Sequence, residues 1–305
     1  MLKATGLSIH RGARQILTDI DLALPAGQVT GVLGANGTGK SSLLAVLAGE
    51  LRASAGTVTL HDQPLSNWSA AALARWRAVL PQSPSLQFDL PVETVIGMGA
   101  YPHVRGRAAT LQERTTSVKE VEVARRNASA EGSASAKGAS PADRTRSARQ
   151  AMAADEAVLQ QVLDMADIAH LYNRRYRQLS GGEQQRVQFA RVLYQLLLAR
   201  RGRDEYRVLM LDEPTASLDP RHQLTLLSAV QRLAHEENIA ALVILHDVNL
   251  AAGCCDQLLL VGEGRTAAAG SPREVLTPEV LLRVYGVEAM VLPHPAQPER
   301  PLVVF

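Results

Sequence analysis

At 305 residues the chain is long enough to bury a sizeable core, as one large domain or two modest ones. Its formal charge of +2 is close to balance, which gives no electrostatic argument for a nucleic-acid or membrane-surface partner. Its two cysteines, Cys254 and Cys255, are neighbours and read as buried free thiols in a reducing, cytosolic setting. Residues 1–5 lack a basic-then-apolar leader, and no run approaches the roughly 18 apolar residues of a membrane span, so any spans belong to another chain.

Residues 2–24 alternate short apolar runs with turn-like pieces, His10-Arg11-Gly12 and Pro25-Ala26-Gly27, and predict antiparallel strands. The apolar run at 29–33 then leads into a glycine-rich loop, and residues 41–48 have helical spacing. From about 105 to 156 the composition shifts to Ala, Ser and Arg without an aromatic residue. Within that stretch, 127–146 has too little apolar surface to offset its ordering entropy and reads as a disordered or loosely helical surface insertion. Farther on, 208–211 and 241–245 are compact apolar runs separated by helix-length segments such as 223–235. That pattern predicts an α/β sheet with buried parallel strands. No internal repeat occurs, which excludes two tandem nucleotidases.

Three local motifs carry chemistry. Gly34-Ala35-Asn36-Gly37-Thr38-Gly39-Lys40-Ser41 fits G-x-x-x-x-G-K-[ST] between a predicted strand and a predicted helix. Its glycines let backbone N–H groups turn toward an anion, the helix start adds positive charge, Lys40 reaches the β and γ phosphates, and Ser41 suits Mg²⁺. Ser42 continues the site into the helix. The strand at 208–211 ends in Asp212, suited to Mg²⁺, and Glu213, suited to orienting or deprotonating a water. Finally, Leu179-Ser180-Gly181-Gly182-Glu183-Gln184 opens a predicted helix and offers a second phosphate-binding surface.

That last motif resembles the LSGGQ signature of ABC ATPases, and the resemblance covers the chain apart from the insertion. It implies a P-loop (RecA-like) α/β nucleotide-binding domain with an antiparallel β subdomain and an inserted α-helical subdomain. The single domain, 1–305, would have its core at 1–84 and 180–270. The helical subdomain would lie at about 85–179, with the insertion at about 124–150, and a C-terminal extension at about 271–305. By the same resemblance Gln82 is the Q-loop glutamine, at the Mg²⁺ and the water, Ser217-Leu218-Asp219 is the D-loop, and His246 is the switch histidine. His10 stands where many relatives place an aromatic residue against adenine, with a smaller stacking face.

ATP and Mg²⁺ are the implied ligands. The implied assembly is a head-to-tail homodimer with two transmembrane permease subunits and a periplasmic substrate-binding protein, on the cytoplasmic side of the bacterial inner membrane and without nucleic acid. Absent spans, a second nucleotidase and heptad arms speak against fused exporters, translation factors and repair ATPases; a regulatory ATPase without a transport partner stays open.

The segment Phe88-Asp89-Leu90-Pro91-Val92-Glu93-Thr94-Val95, with Gly97-Met98-Gly99, is similar to ATPases serving iron-siderophore, cobalamin and heme permeases. In that family the stretch 83–98 meets the permease, although Phe88, Leu90 and Val92 read equally as core. The stretch 176–193, with Val284-Tyr285-Gly286-Val287 and Leu292-Pro293-His294-Pro295, looks most like the heme branch. Hemin is therefore the expected cargo and a ferric siderophore or cobalamin the alternative. His294 itself is expected on an exposed C-terminal extension, not as a heme ligand.

Overall fold

A computed structural model describes residues 1–12, 14–82, 86, 88–103, 141–198, 200, 202 and 204–305, with side chains from residue 153 onward in the helix that begins at 141. The N-terminal strands β1 (Leu2–Arg11) and β2 (Arg14–Leu24) pair with β4 (Ala55–Leu60) and the short β5 (Gln63–Pro64) in an antiparallel sheet of order β2-β1-β4-β5. Between them in the chain come β3 (Val29–Leu33) and helix α1 (Lys40–Leu47), followed later by α2 (Ala70–Trp76), β6 (Arg77–Leu80) and α3 (Val92–Gly97). The second half supplies α4 (Pro141–Met165), α5 (Gly181–Leu197), β7 (Val208–Asp212), α6 (Pro220–Glu237), β8 (Ala240–Ile244), α7 (Val248–Cys254), β9 (Gln257–Gly262) and β10 (Arg265–Gly270).

The central sheet has the order β10-β9-β3-β8-β7-β6, parallel except for β10, which pairs antiparallel to β9. Strands β3, β7 and β8 are buried along their whole length, as continuous apolar runs covered on both faces must be. Their side chains divide between two cores by strict alternation. Leu209, Leu211, Ala241 and Val243 face the core under the helices, whereas Val208, Met210, Leu242 and Ile244 face the core shared with α1 and the antiparallel sheet. Burial on one side thus fixes the register on the other.

Helix α5 packs against α3, against the 3₁₀ turn at Met98–His103 and against β6, with Phe189 fully buried. Phe88, Leu90 and Val92, which read equally as permease contact or as core, divide between the two: Phe88 is 72% exposed, Leu90 is half-buried and Val92 is 0% exposed. Of the stretch 83–98, residues 83–85 and 87 lie outside the described residues, as does the insertion up to residue 140; its remainder, 141–150, belongs to α4.

The C-terminal residues also depart from expectation. They fold into α8 (Pro272–Val275), α9 (Pro278–Tyr285) and a hairpin of β11 (Met290–His294) and β12 (Gln297–Val304), instead of forming an exposed extension. His294 is half-buried at the turn, where Nδ1 accepts the N–H groups of Ala296 and Gln297 at 3.2 Å. Four prolines at 293, 295, 298 and 301 obscure the strands, yet an isolated two-stranded ribbon consists of edges, where a missing N–H costs least. Cys254 and Cys255 are buried free thiols with sulfurs 3.6 Å apart.

Phe189→Ala is expected to cost about 3–5 kcal/mol in urea unfolding, because the helix layer cannot close over the lost ring. A loss below about 1 kcal/mol would place the ring outside the core that the packing assigns it to.

Candidate active site

The register of the parallel strands determines what can meet at their carboxyl ends. Leu80 pairs with Leu211, Asp212 with Ile244, and Val32 with Ile244, so the segments that leave β6, β7, β8 and β3 emerge side by side. Those exits carry Gln82, Glu213, His246 and the loop 34–39. In open α/β sheets this edge is where ligands bind.

The glycine-rich loop curls around the Lys40 side chain. Its ammonium donates to the carbonyls of Gly34 at 2.8 Å and Ala35 at 3.0 Å, and Thr38 Oγ1 donates to the Ala35 carbonyl at 2.9 Å. Gly34 has φ 150°, and a Cβ there would stand 2.3 Å from the Val261 carbonyl oxygen, so only glycine lets the loop run this close to β9. Burial lowers the pKa of Lys40, opposed by the negative charges of Glu213 and Asp212. Beside it the Ser41 hydroxyl donates to Asp212 Oδ1 at 3.3 Å, and burial raises the Asp212 carboxyl while that hydrogen bond opposes the rise.

Glu213 follows in a left-handed backbone conformation, φ 49°, that a glutamate adopts at a cost of about 1–3 kcal/mol. Its N–H donates to the Ile244 carbonyl at 3.2 Å, and the turn aims the carboxylate away from the strand. Two residues then converge on that carboxylate: Gln82 Nε2 donates to Oε2 at 2.6 Å, and His246 Nε2 lies 2.5 Å from Oε1. Three residues distant in sequence thereby form one cluster. Gln82 sits on Glu213 and not on the Ser41–Asp212 pair, the other place expected for it.

The 179–184 motif forms the start of α5. Ser180 is the N-cap in a reciprocal capping box: its Oγ accepts the Glu183 N–H at 3.3 Å, and its own N–H donates to Glu183 Oε2 at 2.7 Å. The Ser180 N–H and, after it, the Ser180 hydroxyl bond the Glu183 carboxylate and hold it below its usual range. Gln184 donates from Nε2 to the Leu179 carbonyl at 3.1 Å. The Cβ position of Gly182 lies 3.1 Å from the Ser217 carbonyl and 3.4 Å from Leu218, so this motif and Ser217-Leu218-Asp219 are packed together. Asp219 caps α6, accepting the His222 N–H at 3.0 Å.

His10 is placed apart from this cluster in its contacts: its ring is exposed and its backbone N–H donates to Ser54 Oγ at 3.0 Å.

One participant was missed. Buried Gln185 donates from Nε2 to the Pro214 carbonyl at 2.8 Å and to the Glu213 carbonyl at 3.4 Å, linking α5 to the acidic turn. Its place one residue after the signature was the available signal, but a glutamine on a helix says nothing of which distant carbonyl it reaches.

Comparisons with known proteins place the chain in a family. Residues 17–216 match the family model described as ABC transporter. The chain is 47% identical over 296 residues to the hemin import ATP-binding protein of Bordetella avium, covering 97% of this chain and 96% of that one. It is 43% identical over 304 residues to the protein of the same name from Pseudomonas putida, covering 100% and 99%. Among solved structures, an ATP-binding cassette of an ABC transporter in its ADP conformation superposes with a TM-score of 0.66 at 20% identity, covering 94% of this chain and 99% of that one, a likeness of fold.

Gly34→Ala is expected to weaken nucleotide binding by at least about tenfold, because the new methyl group must push the loop off the Val261 carbonyl. Titration with a fluorescent nucleotide measures it; wild-type affinity would mean that the loop tolerates a different path.

Proposed function

The chain belongs to the ABC transporter family as an ATP-hydrolysing subunit, and from that premise we propose that it energises hemin import across the bacterial inner membrane. The convergence of Gln82 and His246 on the Glu213 carboxylate beside the phosphate loop carries the hydrolytic part of this reading. The hemin import relatives, at 43% and 47% identity over nearly the whole of both chains, support the cargo.

ATP enters where Lys40 now donates to its own loop's carbonyls, and the triphosphate offers the ammonium better acceptors than Gly34 and Ala35 do. An anion there also offsets the desolvation that lowers the Lys40 pKa. Around the phosphates the backbone of 34–39 and the start of α1, with Ser42 behind Ser41, supply N–H donors. His10, exposed at the end of β1, is left to cover adenine.

The donor set fits Mg²⁺: the Ser41 hydroxyl and Asp212 carboxylate are hard oxygen ligands, and this cation takes few protein ligands beside phosphate and water. When bound, the ion neutralises charge on the β and γ phosphate oxygens.

Glu213 accepts a proton from the attacking water as its oxygen bonds to the γ-phosphorus and the bond to the β-phosphate oxygen breaks, leaving ADP and phosphate. His246 and Gln82 hold the carboxylate and face the γ-phosphate.

The signature completes the site from a second copy. Ser180 uses its N–H and one oxygen lone pair in the capping box, and its hydroxyl, which bonds the Glu183 carboxylate without nucleotide, exchanges that partner for a phosphate beside the first-turn N–H groups of Gly181 and Gly182. Leu179, Glu183 and Gln184 fix that turn, the D-loop residues Ser217 and Leu218 sit against it and Asp219 caps the helix that follows, so a head-to-tail dimer closes two sites at once.

ATP-driven closing and opening then passes to two permease subunits, with a periplasmic substrate-binding protein delivering cargo from the far side. Among the described residues no helix is long and apolar enough to cross a membrane, which fits peripheral attachment on the cytoplasmic face, where ATP is available. Exposed Phe88 and Tyr101, 72% and 80% accessible, offer the permease an apolar foothold.

Glu213→Gln is expected to bind ATP with near wild-type affinity while phosphate release falls at least about 100-fold; unchanged turnover would remove Glu213 from its role. For the cargo, a strain lacking this gene should fail to grow on hemin as iron source and recover with wild type but not with Lys40→Ala. Loss on a ferric siderophore or under cobalamin demand instead would move the cargo and leave the ATPase intact.

A further inference from the structure

The loop that bears His246 lies between two anchors. On one side the Leu245 N–H donates to the Val32 carbonyl at 3.2 Å, which ties the loop to the central sheet. On the other side α7 begins at once, capped by Asp247, whose Oδ1 accepts the N–H groups of Asn249 at 2.8 Å and Leu250 at 2.9 Å. A helix of two turns does not hold itself in water, so the placement of α7 comes from what it is fastened to.

It is fastened to β12. The Asn249 amide pairs with the Val303 backbone in both directions: Nδ2 donates to the Val303 carbonyl at 2.9 Å, and the Val303 N–H donates to Oδ1 at 2.8 Å. A side chain thus stands in for a neighbouring strand, and two opposed hydrogen bonds fix rotation as well as separation. At the other end of α7, Arg300 donates to the carbonyls of Ala252 and Cys255, where a cation also complements the helix dipole.

Packing holds one face of α7, through buried Val248, Ala251 and Ala252. On the other flank a cavity of about 390 Å³ opens between α6, α7 and the hairpin, bordered by Leu224, Gln231, Leu250 and Leu302, so there the hydrogen bonds to β12 and not side-chain packing set the position.

We propose that Asn249 is a positioning residue for ATP hydrolysis: by clasping Val303 it fixes the loop from which His246 reaches the Glu213 carboxylate. The inference rests on the role given to His246 above. Its chain of contacts runs from β12 through Asn249 and the Asp247 cap to His246, whose Nε2 stands 2.5 Å from Glu213. The C-terminal hairpin is in this way part of the hydrolytic apparatus without touching nucleotide. Displacing a positioned group by about 1 Å costs up to about 100-fold in rate, so a partial release has a readable effect.

The test is steady-state ATPase of the full chain as wild type, Asn249→Ala, His246→Ala and the double variant, with the melting temperature of each. Asn249→Ser, which keeps an acceptor for the Val303 N–H, substitutes if the alanine variant does not fold. Asn249→Ala is expected to lower kcat about tenfold with KM for ATP within about twofold, and the double variant to turn over no more slowly than His246→Ala alone. A lower melting temperature with kcat at the wild-type level would make Asn249 merely structural and overturn the proposal, and so would losses that multiply in the double variant. If His246→Ala itself turns over at the wild-type rate, the role of His246 falls first and this inference with it. A slow His246→Ala beside a fast Asn249→Ala removes the inference alone.

Discussion

The parallel register of β6, β7, β8 and β3 is the constraint on which the site depends. Each strand ends at nearly the same level, and each exit delivers one chemical group: the Gln82 amide, the Asp212–Glu213 carboxylates, the His246 imidazole and the phosphate loop. A slip of one residue in β7 would exchange Leu211 and Met210 between the two cores and turn Asp212 away from Ser41. The hydrophobic alternation that stabilises the sheet is therefore the same feature that aligns the catalytic groups. Stability and geometry are not separable here.

Charge within that edge is arranged to be incomplete in a single chain without nucleotide. Lys40 is buried, with its pKa lowered, and is satisfied by its own loop's carbonyls, while burial drives the Asp212 carboxyl upward. Each group is held in an environment that disfavours its charge until a complementary charge arrives. A triphosphate answers the lysine, a divalent cation answers the carboxylate, and the two come together as one ligand. The strained turn at Glu213 belongs to the same logic: Gln82, His246 and the Gln185 bonds to its loop hold a carboxylate where relaxed backbone would not.

How much of this was legible follows from how local each signal is. The phosphate loop, the acidic end of β7 and the capped start of α5 are contiguous runs of residues, and the sequence displays them directly. Gln82 and His246 are single residues whose meeting on Glu213 depends on strand pairing across 131 positions in one case. Only the order of motifs in a resembling family pointed to them. Phe88 and Val92, both apolar and four residues apart, look alike in sequence, and their separation into exposed and buried depends on which side α3 and α5 cover. The C-terminal hairpin was hidden for another reason. Its prolines argue against strands by a rule that holds for central positions and fails in a two-stranded ribbon, where Pro293 faces Pro301.

The hairpin also shows why residues far from the nucleotide belong in an account of this active site. Glu213 is fixed by its own strand and Gln82 by the exit of β6, but His246 leaves β8 on a loop whose only continuation is a short helix beside an open cavity. The sheet secures one end of that loop through Leu245 and Val32, and takes hold again only beyond α7, where the Asp256 N–H donates to the Val29 carbonyl. Val303, buried at 3% and bonded on both its backbone groups to Asn249, supplies a hold between those two from 57 residues beyond the histidine in sequence. A catalytic edge built on parallel strands needs such outside supports wherever a functional group hangs from a connection and not from a strand, and this chain provides one from its last strand.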